Sequence, residues 1–262
     1  MREFLNAFSV QRRVIFALIL RETKTRYGKT RIGYLWALFE PMAHMLIFAA
    51  IFSFIGRSSP LGGSVAMLVL TGLFPYNLFF NLATQLLNAV GSNRVLLSYP
   101  HVTPFDVMVA RSILEVATQV VVFSFVLLVL GTLDLWDMRV DSVIGLIMVV
   151  LVGSSLGVGL GLVNAVLAFR FPSYANIFGM IQRPMYFLSG IFFVVGYMST
   201  DIQNIMYYNP IVHLIEWFRS AVYIGYESDF LDKQYLFNFT LTIVFLGLLL
   251  LRLVRHEIRQ ER

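Results

Sequence analysis

Six runs of mainly apolar residues constrain this chain more than anything else in it: about 32–56, 65–89, 104–131, 142–168, 176–198 and 236–253. A helix that crosses the hydrocarbon of a bilayer needs roughly 20 such residues. In lipid, helices satisfy their own backbone polar groups, and irregular or open-edged structure does not. The runs therefore predict an all-α membrane protein with six transmembrane helices. Composition agrees, because 58% of the 262 residues are hydrophobic and only 13% charged, where a soluble domain carries about 25% charged residues. The chain reads as one transmembrane domain, 1–262. Residues 1–31 form a basic N-terminal segment, 32–198 hold spans one to five, 199–235 form a long polar-apolar segment, and 236–262 hold span six and a tail. The first apolar run exceeds an ordinary signal-peptide core and reads as a retained span.

The net charge of +5 is topological rather than a nucleic-acid footprint. Residues 1–31 hold eight Lys/Arg, the 90–103 and 169–175 loops one each and the 252–262 tail four, whereas the opposite loops share four. The positive-inside rule then predicts that both termini are cytoplasmic. Before the first span, Phe4, Phe8, Ile15 and Ile19 share an arc of a helical wheel, with Asn6, Ser9, Arg13 and Arg21 largely opposite. That pattern predicts an amphipathic helix in the cytoplasmic interface, serving as a lipid anchor or as a docking surface for a cytoplasmic partner. On the other side, Asn209-Pro210 starts a helix in which Ile211, Leu214, Ile215, Phe218 and Val222 recur at helical spacing. It is too short and too charged to span, so it is expected to lie at or re-enter the outer membrane surface.

Several chemistries are disfavoured. There are no cysteines, and His44, His101, His213 and His256 lack metal-ligand spacing; no catalytic or metal site is predicted. Gly28-Lys29-Thr30 resembles the end of a phosphate-binding loop, but Thr23 stands where the loop's first glycine is required. Asp134, Asp137 and Asp141 read as a solvated turn. Ionisable residues inside spans are costly, and hence candidates for function. Glu40 precedes Pro41, Arg183 precedes Pro184, and Arg111 and Glu115 stand at i,i+4, where they are expected to pair with each other. Gly153, Gly157 and Gly161 make a face for close helix packing. Aromatic residues gather near span ends, among them Tyr34, Trp36, Phe39, Phe74, Tyr76, Phe79, Phe80, Tyr186, Phe187, Phe192, Phe193 and Tyr197. Interfacial belts account for most of them, although flat aromatic faces also suit sugar rings.

The order of parts resembles a known family. The run "TRYxxxxxGxLWxxxEP", filled by Thr25, Arg26, Tyr27, Gly33, Leu35, Trp36, Glu40 and Pro41, is followed by the loop "NRVLLSYPHVTPFD", by "RPMYFLSGIFF" and by "YYNPIVHLIEWFRSAVY". Over essentially the whole chain this is similar to the ABC-2-type permeases that export bacterial polysaccharides, and within them to those that export capsule. The resemblance implies an exporter fold in which outer gate helices follow span five. It implies a homodimer joined to two separate ATP-binding subunits, so that ATP and Mg are held by the partner and this chain carries no cofactor. It implies a lipid-linked polysaccharide as cargo, periplasmic and outer-membrane export components, and residence in the bacterial inner membrane. Asn93, Arg94, Tyr99, Pro100 and His101 fall where the family meets its ATPase. His213, Glu216, Trp217 and Arg219 fall at its exit gate, and Glu40, Arg111 and Arg183 are candidates for the translocation path. Other lipid-linked or small cargoes fit the same architecture. A membrane-embedded transferase and a passive channel are the readings from other classes.

Overall fold

The computed structural model describes residues 2–27, 59–99, 102–132 and 140–260, together with Trp36, Phe39, Ala43, His44, Ile47, Phe48, Ile51 and Phe54. Glu40, Pro100, His101, Asp134, Asp137 and most of the first predicted span lie outside the described residues. The regular elements among the described residues are helical: α1 (Arg2–Tyr27), α2 (Val65–Leu87), the single turns α3 (Ala89–Ser92) and α4 (Arg94–Leu97), α5 (Pro104–Thr132), α6 (Val143–Arg170), α7 (Tyr174–Leu188), a 3-10 turn (Val195–Tyr197), α8 (Thr200–Met206), α9 (Pro210–Val222) and α10 (Lys233–Gln260). Among the described residues, four helices are long and apolar enough to cross a membrane: α2, α5, α6 and α10. They match the second, third, fourth and sixth predicted spans.

Helix starts follow from side chains that take the orphan N–H groups of a first turn. Ser64 Oγ accepts from Met67 N at 3.2 Å, Ser142 Oγ from Gly145 N at 3.0 Å, and Asn209 Oδ1 from Ile211 N at 3.1 Å. In α2, 89% of the apolar stretch is buried inside the protein, against 17%, 33% and 22% in α5, α6 and α10. Thus α2 is the central helix and the other three turn broad apolar faces outward. The glycine face of α6 is what lets it reach α2. A Cβ on Gly157 would stand 2.8 Å from the Phe79 carbonyl oxygen, and one on Gly161 would stand 2.7 Å from Leu86 Cβ. The opposite side of α6 meets α10 just as closely, with Gly247 so placed that a Cβ would stand 2.8 Å from the Gly159 carbonyl oxygen. The expected close packing on the Gly153, Gly157 and Gly161 face is present, and the contact at Gly159 is a second close face outside that expectation.

The fifth predicted span, 176–198, requires correction. Its helix ends at Leu188, and Gly190 turns the chain with φ +81°. Fifteen residues make about 22 Å of helix, less than the thickness of a hydrocarbon core. Residues 191–194 continue as largely buried, non-helical backbone. Such backbone is tolerated at membrane depth only inside protein, where its polar groups find partners. Here α9 supplies them. The helix expected to lie at or re-enter the outer membrane surface is packed inside the protein: eleven of its thirteen residues are buried, His213, Glu216 and Arg219 among them.

Helix α1 and the last turns of α10 share one end of the bundle, the terminal end. There Leu18 of α1, Leu97 of α4, Met108 of α5, Val166 of α6 and Val254 of α10 form one apolar cluster. The far end holds the start of α2 and all of α9.

Candidate functional site

Two polar assemblies stand at opposite ends of the bundle. At the far end, Arg219 is fully buried and its guanidinium is divided among four oxygens. It donates to the carbonyls of Phe193 at 2.9 Å, Ile191 at 3.0 Å and Leu68 at 3.4 Å, and to Glu216 Oε1 at 3.2 Å. Glu216, also fully buried, accepts the Tyr226 hydroxyl on its other oxygen at 2.6 Å. One cation thus ties α9, the start of α2 and the broken stretch after α7 together, and one anion ties in the loop beyond α9. Gly72 makes the junction possible, since a Cβ there would stand 2.6 Å from Ile191 Cα.

His213 belongs to a neighbouring network. Its Nδ1 accepts from the Asp232 N–H at 3.2 Å, so the ring proton sits on Nε2 and is donated to the Tyr207 carbonyl at 2.8 Å. Phe230 stacks on the ring with centroids 5.1 Å apart. Burial pushes the imidazole pKa below its usual value, outweighing the Tyr207 carbonyl and the Asp232 and Glu216 carboxylates that favour the charged form. Asp232 accepts the Tyr207 hydroxyl at 2.5 Å, which holds the carboxyl below the ordinary range and raises the tyrosine. Trp217 is buried, with Lys233 Nζ 5.3 Å from its ring centroid. Beside this network opens a depression of about 610 Å³ lined by Tyr197, Gln203, Asn204, Tyr226, Glu227 and Asp229 among others. Its phenols, amides and carboxylates offer both donors and acceptors to a hydrated ligand. Of the predicted far-end residues, Glu216 and His213 therefore lie behind the lining residues Tyr226, Tyr207 and Phe230 that they contact, and with Arg219 are buried rather than on the open surface.

At the terminal end, α1 lies along the first half of α5, held by polar pairs. Gln11 donates to Asp106 at 3.0 Å, Arg111 meets Glu22 at 2.9 Å, and Arg26 meets Glu115 at 2.5 Å. Arg111 also donates to the Gln85 carbonyl at 3.0 Å, and Gln119 donates to Glu115 at 2.8 Å. The expected Arg111–Glu115 pair within α5 is therefore corrected: each takes a partner from α1. The reason is burial, since Glu115 is fully buried and Arg111 nearly so, and a cross-helix partner fixes both charges while anchoring α1. The sequence carried a signal for this. Glu22 and Arg26 stand at i,i+4 in one order, Arg111 and Glu115 at i,i+4 in the other, and two helices running the same way bring opposite charges face to face.

The loop between α2 and α5 joins the same assembly. Arg21 donates to Asn93 Oδ1 at 3.0 Å, and buried Asn93 donates to the Ala89 carbonyl at 3.0 Å. Arg94 opens α4, and Tyr99 is exposed. Arg183 is exposed on α7. Of the aromatic residues, Phe74, Tyr76, Phe79, Phe80 and Phe192 are core, Tyr186 and Phe193 are half-buried, and Trp36, Phe39, Phe187 and Tyr197 are exposed, while Tyr34 lies outside the described residues.

Residues 13–223 match the family described as ABC-2 type transporter. The chain is 33% identical over 247 residues to the polysialic acid transport protein KpsM of Escherichia coli, covering 94% of this chain and 95% of that protein. It is 29% identical to the capsule polysaccharide export inner-membrane protein CtrC of Neisseria meningitidis, covering 94% and 92%. To BexB of Haemophilus influenzae, of the same description, it is 29% identical over 96% and 92%.

Proposed function

Because the chain belongs to the ABC-2 type transporter family, we propose that it is the permease subunit of an ATP-driven exporter that moves lipid-linked capsular polysaccharide across the bacterial inner membrane. The observation that carries this reading is the near end-to-end similarity to three proteins named for capsule-polymer transport or export. Two copies of the chain work with two ATP-binding subunits, which hold ATP and Mg; ATP hydrolysis is theirs, and this chain supplies the path and the moving parts. Both termini face the cytoplasm, in keeping with the bias of Lys and Arg along the sequence.

In this reading the terminal end receives the push of the ATPase. The loop bearing Asn93, Arg94, Tyr99, Pro100 and His101 and the outer side of α1 are the receiving surfaces. The contact from Arg21 to Asn93 makes them one body, and the pairs from α1 to Arg111 and Glu115 hand displacement to α5. Arg111 thereby serves coupling first and the path second, while Glu40 and exposed Arg183 stay with the path. At the far end, α9 with His213, Glu216, Trp217 and Arg219 forms the gate block, and the polar depression beside it meets emerging sugars. A rigid block suits a gate because packed elements switch between discrete arrangements rather than deforming continuously.

Deleting the gene is expected to abolish surface capsule while lipid-linked polymer accumulates inside, and the wild-type gene restores export. Undiminished surface polymer in the deletion strain overturns the proposal. Turnover of a lipid or sugar by the purified chain without an ATPase would make it a transferase instead, and nucleotide-independent conductance would make it a channel.

A further inference from the structure

We propose that the groove between the start of α5 and the last turns of α10 is a binding site for one anionic phospholipid of the surrounding bilayer. It holds a cavity of about 320 Å³, room for a headgroup and glycerol, whose apolar walls include Phe105, Leu248 and Leu251 and whose rim carries Arg252, Arg255 and His256. On α10, Leu241, Phe245, Leu248, Arg252 and Arg255 follow one another at steps of three and four and so share one face. Leu241 and Phe245 are 68% and 66% exposed. That face gives an acyl chain an apolar track that ends at two guanidinium groups, at the depth where a spanning helix leaves hydrocarbon for headgroups.

Arginines at helix ends commonly snorkel without binding anything specific. Two further observations distinguish this pair. Arg170, at the same end of the bundle, is neutralised by Glu257 at 2.6 Å, whereas among the described residues neither Arg252 nor Arg255 meets a carboxylate. The nearest acid on α5, Asp106, is already engaged by Thr103 and Gln11. Arg255 Nε donates to His256 Nε2 at 3.3 Å, which leaves both of its terminal nitrogens for an external acceptor. A phosphodiester oxygen is such an acceptor, and guanidinium matches it with two parallel N–H donors. The choice of a resident lipid follows from the walls: a soluble anion has no use for the apolar track below the rim. The proposal rests on the chain's being a membrane protein and not on the identity of its cargo.

The test is native mass spectrometry of the full-length protein, purified from cells without capsule and titrated with dioleoylphosphatidylglycerol or dioleoylphosphatidylcholine. Retention of the anionic lipid is expected to exceed that of the zwitterionic one, and R252Q/R255Q is expected to lower it about tenfold, each arginine near a headgroup surface contributing a few-fold. R170Q, at the same end but outside the cavity, should leave retention unchanged. Equal retention of the two lipids, or an unaffected double variant, overturns the site. Displacement of the lipid by millimolar inorganic phosphate would make it a free-anion site, and retention only of a glycosylated lipid from capsule-producing cells would assign it to the cargo; either overturns the proposal. Should the double variant fail to fold, phenylglyoxal labelling of the wild-type protein decides. Phosphatidylglycerol must protect Arg252 and Arg255 where phosphatidylcholine does not, and protection in both lipids would point to cover by protein and overturn it.

Discussion

At Arg219 and Glu216 a charge pair has been taken out of water, and the hydrogen bonds around it decide the outcome. Removing one member of a buried pair strands the other and costs about 3–5 kcal/mol. Arg219→Met leaves Glu216 with the Tyr226 hydroxyl and also frees the carbonyls of Ile191 and Phe193. Glu216→Gln keeps an acceptor for Tyr226 and leaves the guanidinium its three carbonyls. We therefore expect Arg219→Met to lower the thermal midpoint of the detergent-solubilised protein far more than Glu216→Gln; equal losses would mean that the pair, not the carbonyl clamp, dominates. His213 makes the second prediction. Its folded pKa lies below the unfolded value of about 6.5. A group of this kind contributes stability that is present in full above the unfolded pKa and lost as pH falls through the folded one. Unfolding midpoints measured from pH 7.5 down to pH 5 should decline, and His213→Gln, which cannot titrate, should flatten that decline while starting lower. A wild-type profile without that decline would show that the imidazole is readily charged in place.

Between helices, contact distance replaces charge as the deciding quantity. Gly157→Ala pushes a methyl group against the Phe79 carbonyl, where nothing flexible can yield, and overpacking of this kind costs about 1–3 kcal/mol. Gly179→Ala, in the middle of α7 with nothing within 4 Å of its Cβ position, should be neutral or gain up to about 1 kcal/mol of helix propensity. Thermal midpoints of the two variants make the comparison, and a harmless Gly157→Ala would mean that α6 is free to slide on α2. The contact between α1 and α5 has a different character, because its buried charges own a second set of partners. If α1 lifts away, Arg111 and Glu115 remain at i,i+4 and are able to neutralise each other, so release leaves no stranded charge in α5. E22Q/R26M is thus expected to raise protease sensitivity within α1 several-fold while shifting the thermal midpoint little, because buried Glu115 keeps the Gln119 amide and can turn to Arg111 one helical turn away. A large drop in the midpoint with α1 still protected would show that the pairs stabilise the whole bundle. The same residues mark where the sequence stopped being readable. Spacing alone put Arg111 and Glu115 within reach of each other, and only the packing of α1 decides which partner wins. The broken fifth span was hidden in a similar way: residues 176–198 are apolar enough to cross, and the backbone partners that let them break come from Arg219 in a later helix. The four spans legible in advance are those whose backbone is satisfied within the helix.

For the whole molecule, the question that orders every assignment is which end faces the cytoplasm. The bundle places α1, the α3–α4 turns and the end of α10 together, with the α9 block at the far end, whichever way the protein is inserted. The Lys and Arg bias gives the proposed orientation, and the proposed coupling and gate roles exchange ends if that orientation is wrong. A chain without cysteines lets single introduced thiols decide the matter. At the far end Pro60 and Glu227 are exposed, and Pro60 is preferable to its neighbours Gly62 and Gly63, whose φ of 76° and 68° would strain a cysteine. At the terminal end Ser98 is exposed on the turn after α4. Pro60→Cys and Glu227→Cys should react with a membrane-impermeant maleimide on intact cells, and Ser98→Cys only after the inner membrane is opened. If Ser98→Cys alone reacts on intact cells, the bundle is inverted: Asn93 and Tyr99 could not receive a cytoplasmic ATPase, and the polar depression beside α9 would become an entrance for sugars rather than an exit. If all three react before opening, the termini and the α9 block share one side and the number of crossings itself is wrong. The expected pattern would leave the coupling contacts proposed around Asn93 facing the compartment that supplies ATP, and would put the Arg219 block on the side proposed for the polymer's exit.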